Sequence, residues 1–238
     1  MKFILLIILL LSEITLASIG TISSFKGSVN IERNSQNIRA ILSLPIEKND
    51  LITTKENSNV IIKFDDNTIV TVGKNSSLSI EDYLYDTKNP INSKSNLKFL
   101  RGTFKSVTGI IGKINPTKFK LQTKTANIGI RGTTVLANQE IIACTSGEIT
   151  VSSKNKSLNL SENQYTKISD KTKSALIIND EILDILYSGL SIDIYKKSDL
   201  EENKKLILLK DTLEKATEKR KISGEGNASS SEGAGEGN

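Results

Sequence analysis

The chain has 238 residues, a formal net charge of +5, no histidine and a single cysteine, Cys144. Without histidine, Ser-His-Asp and Cys-His catalysis and any histidine-based metal site are excluded, and a lone cysteine, expected here to be a buried structural thiol, cannot form an internal disulfide. The lysines are scattered instead of being grouped with aromatic residues, so nucleic acid is not expected as a partner.

Residues 1–17 have the pattern of a secretory signal peptide. Lys2 is followed by an apolar run from Phe3 to Leu11, and small residues lead to Ala17, where we expect cleavage. The apolar run is shorter than the ~20 residues that a membrane-spanning helix needs, so a membrane anchor is the less favoured alternative. We therefore expect an exported mature chain, in the periplasm or secreted, without a transmembrane segment.

Residues 18–170 are predicted to form an all-β domain, because β-branched segments alternate there with turn signals. An Asp-Asp-Asn turn predicts a hairpin over 59–73. Further along, Phe119, Leu121 and Thr123 alternate with polar residues, which is typical of a half-buried strand.

A weak internal repeat favours a solenoid-like arrangement of short rungs. The segment FKGSVNIE (25–32) resembles TSGEITVSS (145–153), and LRGTF (100–104) is a weaker third copy. Short strands that recur with a glycine at the turn are typical of a chain that coils in stacked rungs. A β-sandwich built from the same strands is the alternative.

The C-terminal part has a different composition, and a helical segment is predicted over 179–222. In its first helix, Ile182, Ile185 and Leu186 are spaced to lie on one face. A second helix, which begins near Ser198, is expected either to dock on the β domain or to bind a partner. The Gly/Ser/Glu-rich tail over 223–238 is expected to be disordered.

The stretch KTANIGIRGTTV (124–135) places an arginine between glycines in a strand-like run. Strand alternation sends Ile130 and Arg131 to opposite faces, and glycine within a strand marks a bulge, a bend or a close approach. Three roles are open to Arg131: burial in a hydrogen-bonded network, contact with an anionic ligand or partner, and simple solvation. Its apolar and small neighbours favour the buried role and make solvation the least expected.

Two adjacent carboxylate pairs raise the question of acid-base chemistry on envelope glycans: Asp65 with Asp66, and Glu81 with Asp82. Adjacent residues on a strand point to opposite faces, so neither pair is expected to form the two-carboxylate arrangement of a glycosidase. No catalytic residue and no metal ligand is therefore predicted, and we do not expect an enzyme or a cofactor.

The chain resembles the FecR-type domain family over residues 20–169. The stretch TKTANIGIRGTTV (123–135) is similar to the family's signature. The stretch LKFLRGTFKSVTG (97–109) resembles its glycine-rich lead-in, and residues 146–169 resemble its closing segment.

The resemblance implies an exported, solenoid-like β module that passes information to a membrane protein partner. A single FecR domain without an anti-sigma region or an internal transmembrane helix is expected here, so the chain is predicted to be a non-enzymatic periplasmic binding or sensing module. A structural or adhesive envelope scaffold is the alternative, and a carboxylate-based glycan enzyme is less favoured. The signature suggests ligand or partner contacts at Arg131, Thr133 and Arg101, with Gly129, Ile130 and Gly132 as its structural motif.

Overall fold

The computed structural model describes residues 18–153, 156–168 and 174–191, which all lie in one compact unit. A second unit, residues 193–238, lies outside the described residues. The predicted signal peptide, the second C-terminal helix and the Gly/Ser/Glu-rich tail also lie outside them, so these expectations stay predictions.

Strands dominate the described part of the chain. In order they are β1 (Gly20–Lys26), β2 (Val29–Arg33), β3 (Gln36–Arg39), β4 (Pro45–Ile46), β5 (Leu51–Thr54), β6 (Asn59–Phe64), β7 (Ile69–Val72), β8 (Ser77–Leu84), β9 (Lys94–Arg101), β10 (Phe104–Val107), β11 (Phe119–Thr123), β12 (Asn127–Ala137), β13 (Ile141–Ser153), β14 (Lys156–Ser161), β15 (Gln164–Lys167) and β16 (Leu176–Ile177). The helices are α1 (Ile110–Ile114) and α2 (Asp180–Leu190), with 3-10 turns at Pro90–Asn92 and Pro116–Lys118.

The strands form one hydrogen-bonded, curled sheet in the order β3-β2-β5-β8-β9-β11-β12-β10-β7-β6-β1-β4. The long strand β13 pairs with β12 and carries β14 and β15 on its other side, and β16 pairs with β15. Among the described pairs, β9 with β11 is parallel and the others are antiparallel. The predicted all-β class with a C-terminal helix is confirmed.

The pairing does not support the solenoid rungs that the internal repeat favoured. Stacked rungs would bring the repeated segments together as neighbours. Instead, β2 pairs with β3 and β5, whereas β13 pairs with β12, β14 and β15. The repeated glycine-and-alternation pattern therefore reflects similar local turns at separate places in the sheet.

The larger hydrophobic core lies inside the curl of the sheet. Isoleucine, valine and leucine provide most of it, and four phenylalanines are almost completely buried: Phe64, Phe99, Phe104 and Phe119. The predicted hairpin over 59–73 is confirmed as β6 and β7, and the predicted half-buried strand is confirmed as β11. Local alternation therefore placed these side chains correctly.

Helix α2 packs against the sheet through its own small core. Its Asn179 cap accepts a hydrogen bond from the Ile182 N–H at 3.0 Å, as expected for a helix start. Buried on the helix are Ile182, Leu186 and Leu190, which pack with strand residues Leu136, Ile141, Ala143 and Tyr165. The predicted apolar face was partly wrong, because Ile185 is 43% exposed and Leu190 takes its place.

Gly73 and Gly189 set how closely α2 approaches the sheet. A Cβ atom on Gly73 would lie 2.2 Å from the Gly189 carbonyl oxygen, and one on Gly189 would lie 2.2 Å from Thr103 Oγ1. The Lys74 N–H donates to that same Gly189 carbonyl at 2.9 Å. No helix within the described residues has the length and apolarity to cross a membrane.

Candidate functional site

A groove of about 590 Å³ lies on the solvent-facing side of β12, β13 and β14. The strand register forms three rows of residues across these strands. The middle row, which is buried, contains Ile130, Ile149 and Leu160. The two outer rows, which face solvent, contain Gly129, Thr150 and Asn159 on one side and Arg131, Glu148 and Ser161 on the other. The lining residues are Pro116, Thr117, Gly129, Ile130, Arg131, Glu148, Ile149, Thr150, Asn159, Leu160 and Ser161.

Arg131 lies exposed in this groove. Its cross-strand neighbour is Glu148, yet within the described part of the chain the guanidinium forms no ion pair and no side-chain hydrogen bond. The expectation that Arg131 is buried in a structural network is therefore wrong, because strand alternation turns it outward while Ile130 turns into the core. Its contact with a ligand or partner stays a prediction.

The two glycines around Arg131 have different roles. Gly132 has a φ of +62°, and the pairing of β12 with β13 shifts register between Arg131 and Thr134, so Gly132 forms a β-bulge that side chains rarely tolerate. A Cβ on Gly129 would meet only ordinary contacts, the nearest at 3.8 Å, and its backbone does not require glycine. Gly129 instead leaves the floor of the groove open.

The bulge is tight on both strands. Gly147 of β13 has a φ of +79°, and a Cβ there would lie 2.7 Å from the Gly132 carbonyl oxygen. The backbone of the two strands therefore approaches closely beside Arg131. This close approach fixes the direction in which Arg131 leaves the sheet.

Thr133 is buried and acts within the scaffold. Its N–H donates to Thr108 Oγ1 at 3.2 Å, and its carbonyl accepts from Thr108 Oγ1 at 2.7 Å and from the Thr108 N–H at 3.0 Å. These bonds fasten the end of β10 to β12. The structure thus places Thr133 behind the groove and not in it.

Arg101 is exposed at the end of β9, away from the groove. Gly129 pairs with Lys120, which pairs with Asn96 of β9, and Arg101 follows five residues later. That separation is about 16 Å along an extended strand. The sequence-predicted contacts Arg131 and Arg101 are therefore not brought together.

Glu81 and Asp82 lie on the same side of the sheet, contrary to the prediction from alternation. A register shift between Ile80 and Asp82 in the pairing with β9 inserts an extra residue, which turns both carboxylates outward. Each is bound to lysine: Glu81 Oε1 lies 3.1 Å from Lys98 Nζ.

Asp82 is held by two lysines. Its carboxylate oxygens lie 2.8 Å from Lys48 Nζ and 2.5 Å from Lys94 Nζ. The hydrogen bond from Lys48, then that from Lys94, keeps the pKa of Asp82 below its usual value. A carboxyl held ionised in this way is poorly suited to act as a general acid.

Asp66, predicted only as a turn residue, is a buried junction of the fold. Its carboxylate accepts hydrogen bonds from the Thr68 N–H, Thr68 Oγ1, the Ile111 N–H and the Tyr83 hydroxyl, at 2.8 to 3.1 Å. Burial and then the negative charge of Asp66 raise the pKa of the Tyr83 phenol. The Asp-Asp-Asn turn signalled a hairpin, but nothing local signalled these partners from β8 and α1.

The thiol of Cys144 lies in an environment typical of a structural cysteine. Cys144 is buried as predicted, and burial raises the pKa of its thiol to about 11. Its Sγ lies within hydrogen-bonding distance of the Ser146 and Gly147 carbonyl oxygens. Across the part of the chain that the structure describes, no three carboxylate, cysteine or histidine side chains gather in a way that could hold a metal.

Comparison with known proteins shows what the chain is similar to. No curated protein matches the chain. Two crystal structures of a "putative anti-sigma factor" from Parabacteroides distasonis ATCC 8503 are similar, with 14% and 13% identity and TM-scores of 0.43 and 0.42. Each comparison covers 57% of this chain and 62% of the other, so the chain spans less than two thirds of those proteins. A family model described as FecR protein matches residues 50–153, from the residue before β5 to the end of β13, so this part of the chain is similar to the FecR family.

Proposed function

We propose that this protein is a non-enzymatic sensing module of the cell envelope, which works in the periplasm by binding a membrane protein partner. The similarity to the FecR family supports a regulatory sensing role. The observation that carries the proposal is the exposed Arg131 in the groove of β12, β13 and β14, without a partner among the described residues.

The groove is suited to a protein segment because its groups bind both charge and main chain. Arg131 offers a planar array of donors that recognises carboxylates, and Glu148 beside it offers an acceptor for a cation. Thr150 and Asn159 are already joined by a 2.9 Å hydrogen bond and form a polar wall opposite Arg131. Such a mixture fits an irregular polypeptide surface better than a single small anion.

The same geometry disfavours the glycan-enzyme alternative. Hydrolysis of a glycosidic bond generally needs two carboxyl groups that flank the bond. Among the residues that line the groove, Glu148 is the one carboxylate, and the Glu81 and Asp82 pair is bound to lysines of β9 and of the turn before β5. A structural scaffold without a dedicated partner would not require an exposed arginine, without a partner among the described residues, beside an open groove.

Site-specific photo-crosslinking in living cells tests the proposal. A photo-reactive residue at Thr150, in the groove wall, is expected to yield one dominant adduct with a membrane protein, and the same residue at exposed Ser24 of β1 is expected to yield none. Arg131→Ala, combined with the photo-reactive residue at position 150, should remove the adduct. Equal labelling from both positions, or an adduct that is insensitive to Arg131, would contradict a specific partner.

The location is tested on the same cells. Release of the chain by osmotic shock, with an N-terminus that begins after Ala17, is the expected result. Retention in the cytoplasm with an intact N-terminus would overturn the periplasmic part of the proposal.

A further inference from the structure

The edge strand β14 carries a sequence that is nearly symmetric about its centre. Residues 156–162 read Lys-Ser-Leu-Asn-Leu-Ser-Glu, so Asn159 is flanked on both sides by leucine, then serine, and then by charges of opposite sign. β14 pairs with β13 on one side, and none of the described strands pairs with its other side. A free sheet edge offers main-chain groups to another strand.

The hydrogen-bonding pattern shows which residues of β14 present those groups. Ser161 lies opposite Glu148, but its N–H donates to the Gln164 side chain at 2.9 Å, so this N–H points away from β13. In an antiparallel pair, residues alternate between bonding to the neighbouring strand and facing away from it. Asn159 and Ser157 therefore also direct their N–H and C=O groups to the free edge.

Side-chain contacts agree with this assignment. Residues of the non-hydrogen-bonded pairs approach each other most closely in an antiparallel ladder. The Thr150 hydroxyl lies 2.9 Å from Asn159 Oδ1, and the Ser152 and Ser157 hydroxyls lie 2.8 Å apart. Both contacts belong to pairs that face away at the edge.

We propose that two copies of this chain pair through β14, antiparallel and with the two-fold axis at Asn159. In this register Asn159 meets Asn159 of the second copy, and Ser157 meets Ser161 of the second copy. The outward-facing residues then meet each other on both strands, which a shift by one residue would prevent. A two-fold interface requires a self-complementary surface, and the near-symmetric sequence supplies one.

The near-symmetry of the strand supports a second copy as the occupant. In this register the Ser157–Ser161 pair forms on both sides of the axis, and Asn159 pairs with its own copy at the centre. An unrelated strand would not repeat the same pairs about the centre of β14.

The extent of the edge limits the strength of the interface. The Ile178 N–H donates to the Asn163 carbonyl at 2.9 Å, so the open part of the edge ends before that residue. Since Gln164 occupies the Ser161 N–H, four main-chain hydrogen bonds remain: two at the Asn159 pair and one at each Ser157–Ser161 pair. A contact of this size belongs with small, weak interfaces, and we expect a dimer that dissociates at micromolar concentration.

The pairing would also extend the candidate groove. Asn159 and Ser161 line it, and a two-fold axis perpendicular to the sheet keeps the outer faces of both copies on the same side. The dimer would thus present two adjacent grooves to one side.

A proline substitution tests the edge without breaking the ladder with β13. Asn159→Pro removes the central outward N–H, and proline is tolerated at such positions of edge strands. The matched control is Asn37→Pro in β3, another edge strand, because Asn37 likewise lies opposite a residue of a single neighbouring strand. Sedimentation equilibrium on the purified full chain should show a concentration-dependent dimer for the parent and for Asn37→Pro, with at least tenfold weaker association for Asn159→Pro.

A cysteine substitution gives an independent readout that does not depend on how well the proline variant folds. Asn159→Cys places two thiols across the axis, and mild oxidation should convert most of this variant to a covalent dimer. Asn37→Cys should stay monomeric on denaturing gels. A parent that is monomeric at several hundred micromolar, or an Asn159→Cys variant that crosslinks no faster than Asn37→Cys, would overturn the proposal.

Discussion

The guanidinium of Arg33 forms a bidentate ion pair with the carboxylate of Asp50, whose side chain is 0% exposed. Arg33 Nε and one terminal nitrogen each lie 2.7 Å from an Asp50 oxygen. The other terminal nitrogen contacts Glu47 at 2.5 Å, and the Glu47 N–H donates to Asp50 at 2.9 Å. The pair joins the end of β2 to the residue where the FecR match begins.

Removal of Arg33 should destabilise the fold more than removal of an exposed arginine. Arg33→Ala leaves Asp50 buried without its cation, and loss of one partner of a buried ion pair costs about 3 kcal/mol. Arg39→Ala, at an exposed position of β3, should change the free energy of unfolding by less than about 0.5 kcal/mol. Urea unfolding of both variants measures the difference, and equal midpoints would show that the Arg33 pair adds nothing.

A comparison of Arg131 with Arg33 shows why neighbouring residues in the sequence could not identify the arginine that forms the buried ion pair. Arg131 has apolar and glycine neighbours and was expected to be buried, yet strand alternation exposes it. Arg33 lies in a polar run before a turn, yet the pairing of β2 with β5 brings it to Asp50, seventeen residues away. The partner of a buried charge is fixed by strand register over such distances, which neighbouring residues do not encode.

Gly132 and Gly129 should respond differently to the same substitution. Gly132→Ala forces a side chain into a left-handed conformation, which costs roughly 1–2 kcal/mol. Gly129→Ala meets no close atom and should change the free energy of unfolding by less than about 0.5 kcal/mol. Chemical denaturation measures both. Equal losses for the two variants would mean that the bulge does not require glycine.

Strands and hairpins were predictable from the sequence, but the arrangement of the sheet was not. The period-two pattern of β11 and the turn at Asp65–Asn67 are local signals, and both elements form where they were predicted. The choice between rungs and a curled sheet depends on which strands are neighbours, as with β10 between β7 and β12. The groove combines residues from β12 to β14 with the turn at Pro116–Lys118, so its shape could not be predicted from the sequence either.

The lysines around Asp82 predict a pH-dependent contribution to stability. Because the hydrogen bonds from Lys48 and Lys94 lower the pKa of Asp82 in the folded chain, its contribution is present above its unfolded pKa, near 3.8, and is lost as pH falls through the lower folded value. Asp82→Asn should therefore lower the urea midpoint at pH 6, and the difference should shrink below pH 4. Glu32→Gln, at an exposed site, serves as the control. A difference that is constant with pH would exclude an electrostatic origin.

For Asp65 we expect the opposite dependence of stability on pH. Partial desolvation and then the negative charge of Asp66 raise its pKa in the folded state above the usual 3.8, although the residue is exposed at the turn. Its ionisation therefore works against folding: the favourable contribution is present below pH 3.8 and is lost as pH rises through the higher folded value. Asp65→Asn should raise the urea midpoint at pH 7 and lose that advantage in acid. A lower midpoint at pH 7 would show that the Asp65 carboxylate has a stabilising contact.

Substitutions at Arg131 and Thr108 should distinguish a residue that contacts a partner from a residue that stabilises the fold. Arg131→Ala should leave the free energy of unfolding within about 0.5 kcal/mol of the parent, since the side chain is exposed and has no described partner. Thr108→Val removes the hydroxyl that both donates to and accepts from Thr133, and leaves a buried N–H without its partner, at a cost of about 1–3 kcal/mol. The groove crosslink should show the reverse order, with loss in Arg131→Ala and retention in Thr108→Val at temperatures where that variant is folded. If Arg131→Ala instead lowered the melting temperature by several degrees, the guanidinium would be part of the fold, and the groove would lose the group on which its proposed function rests.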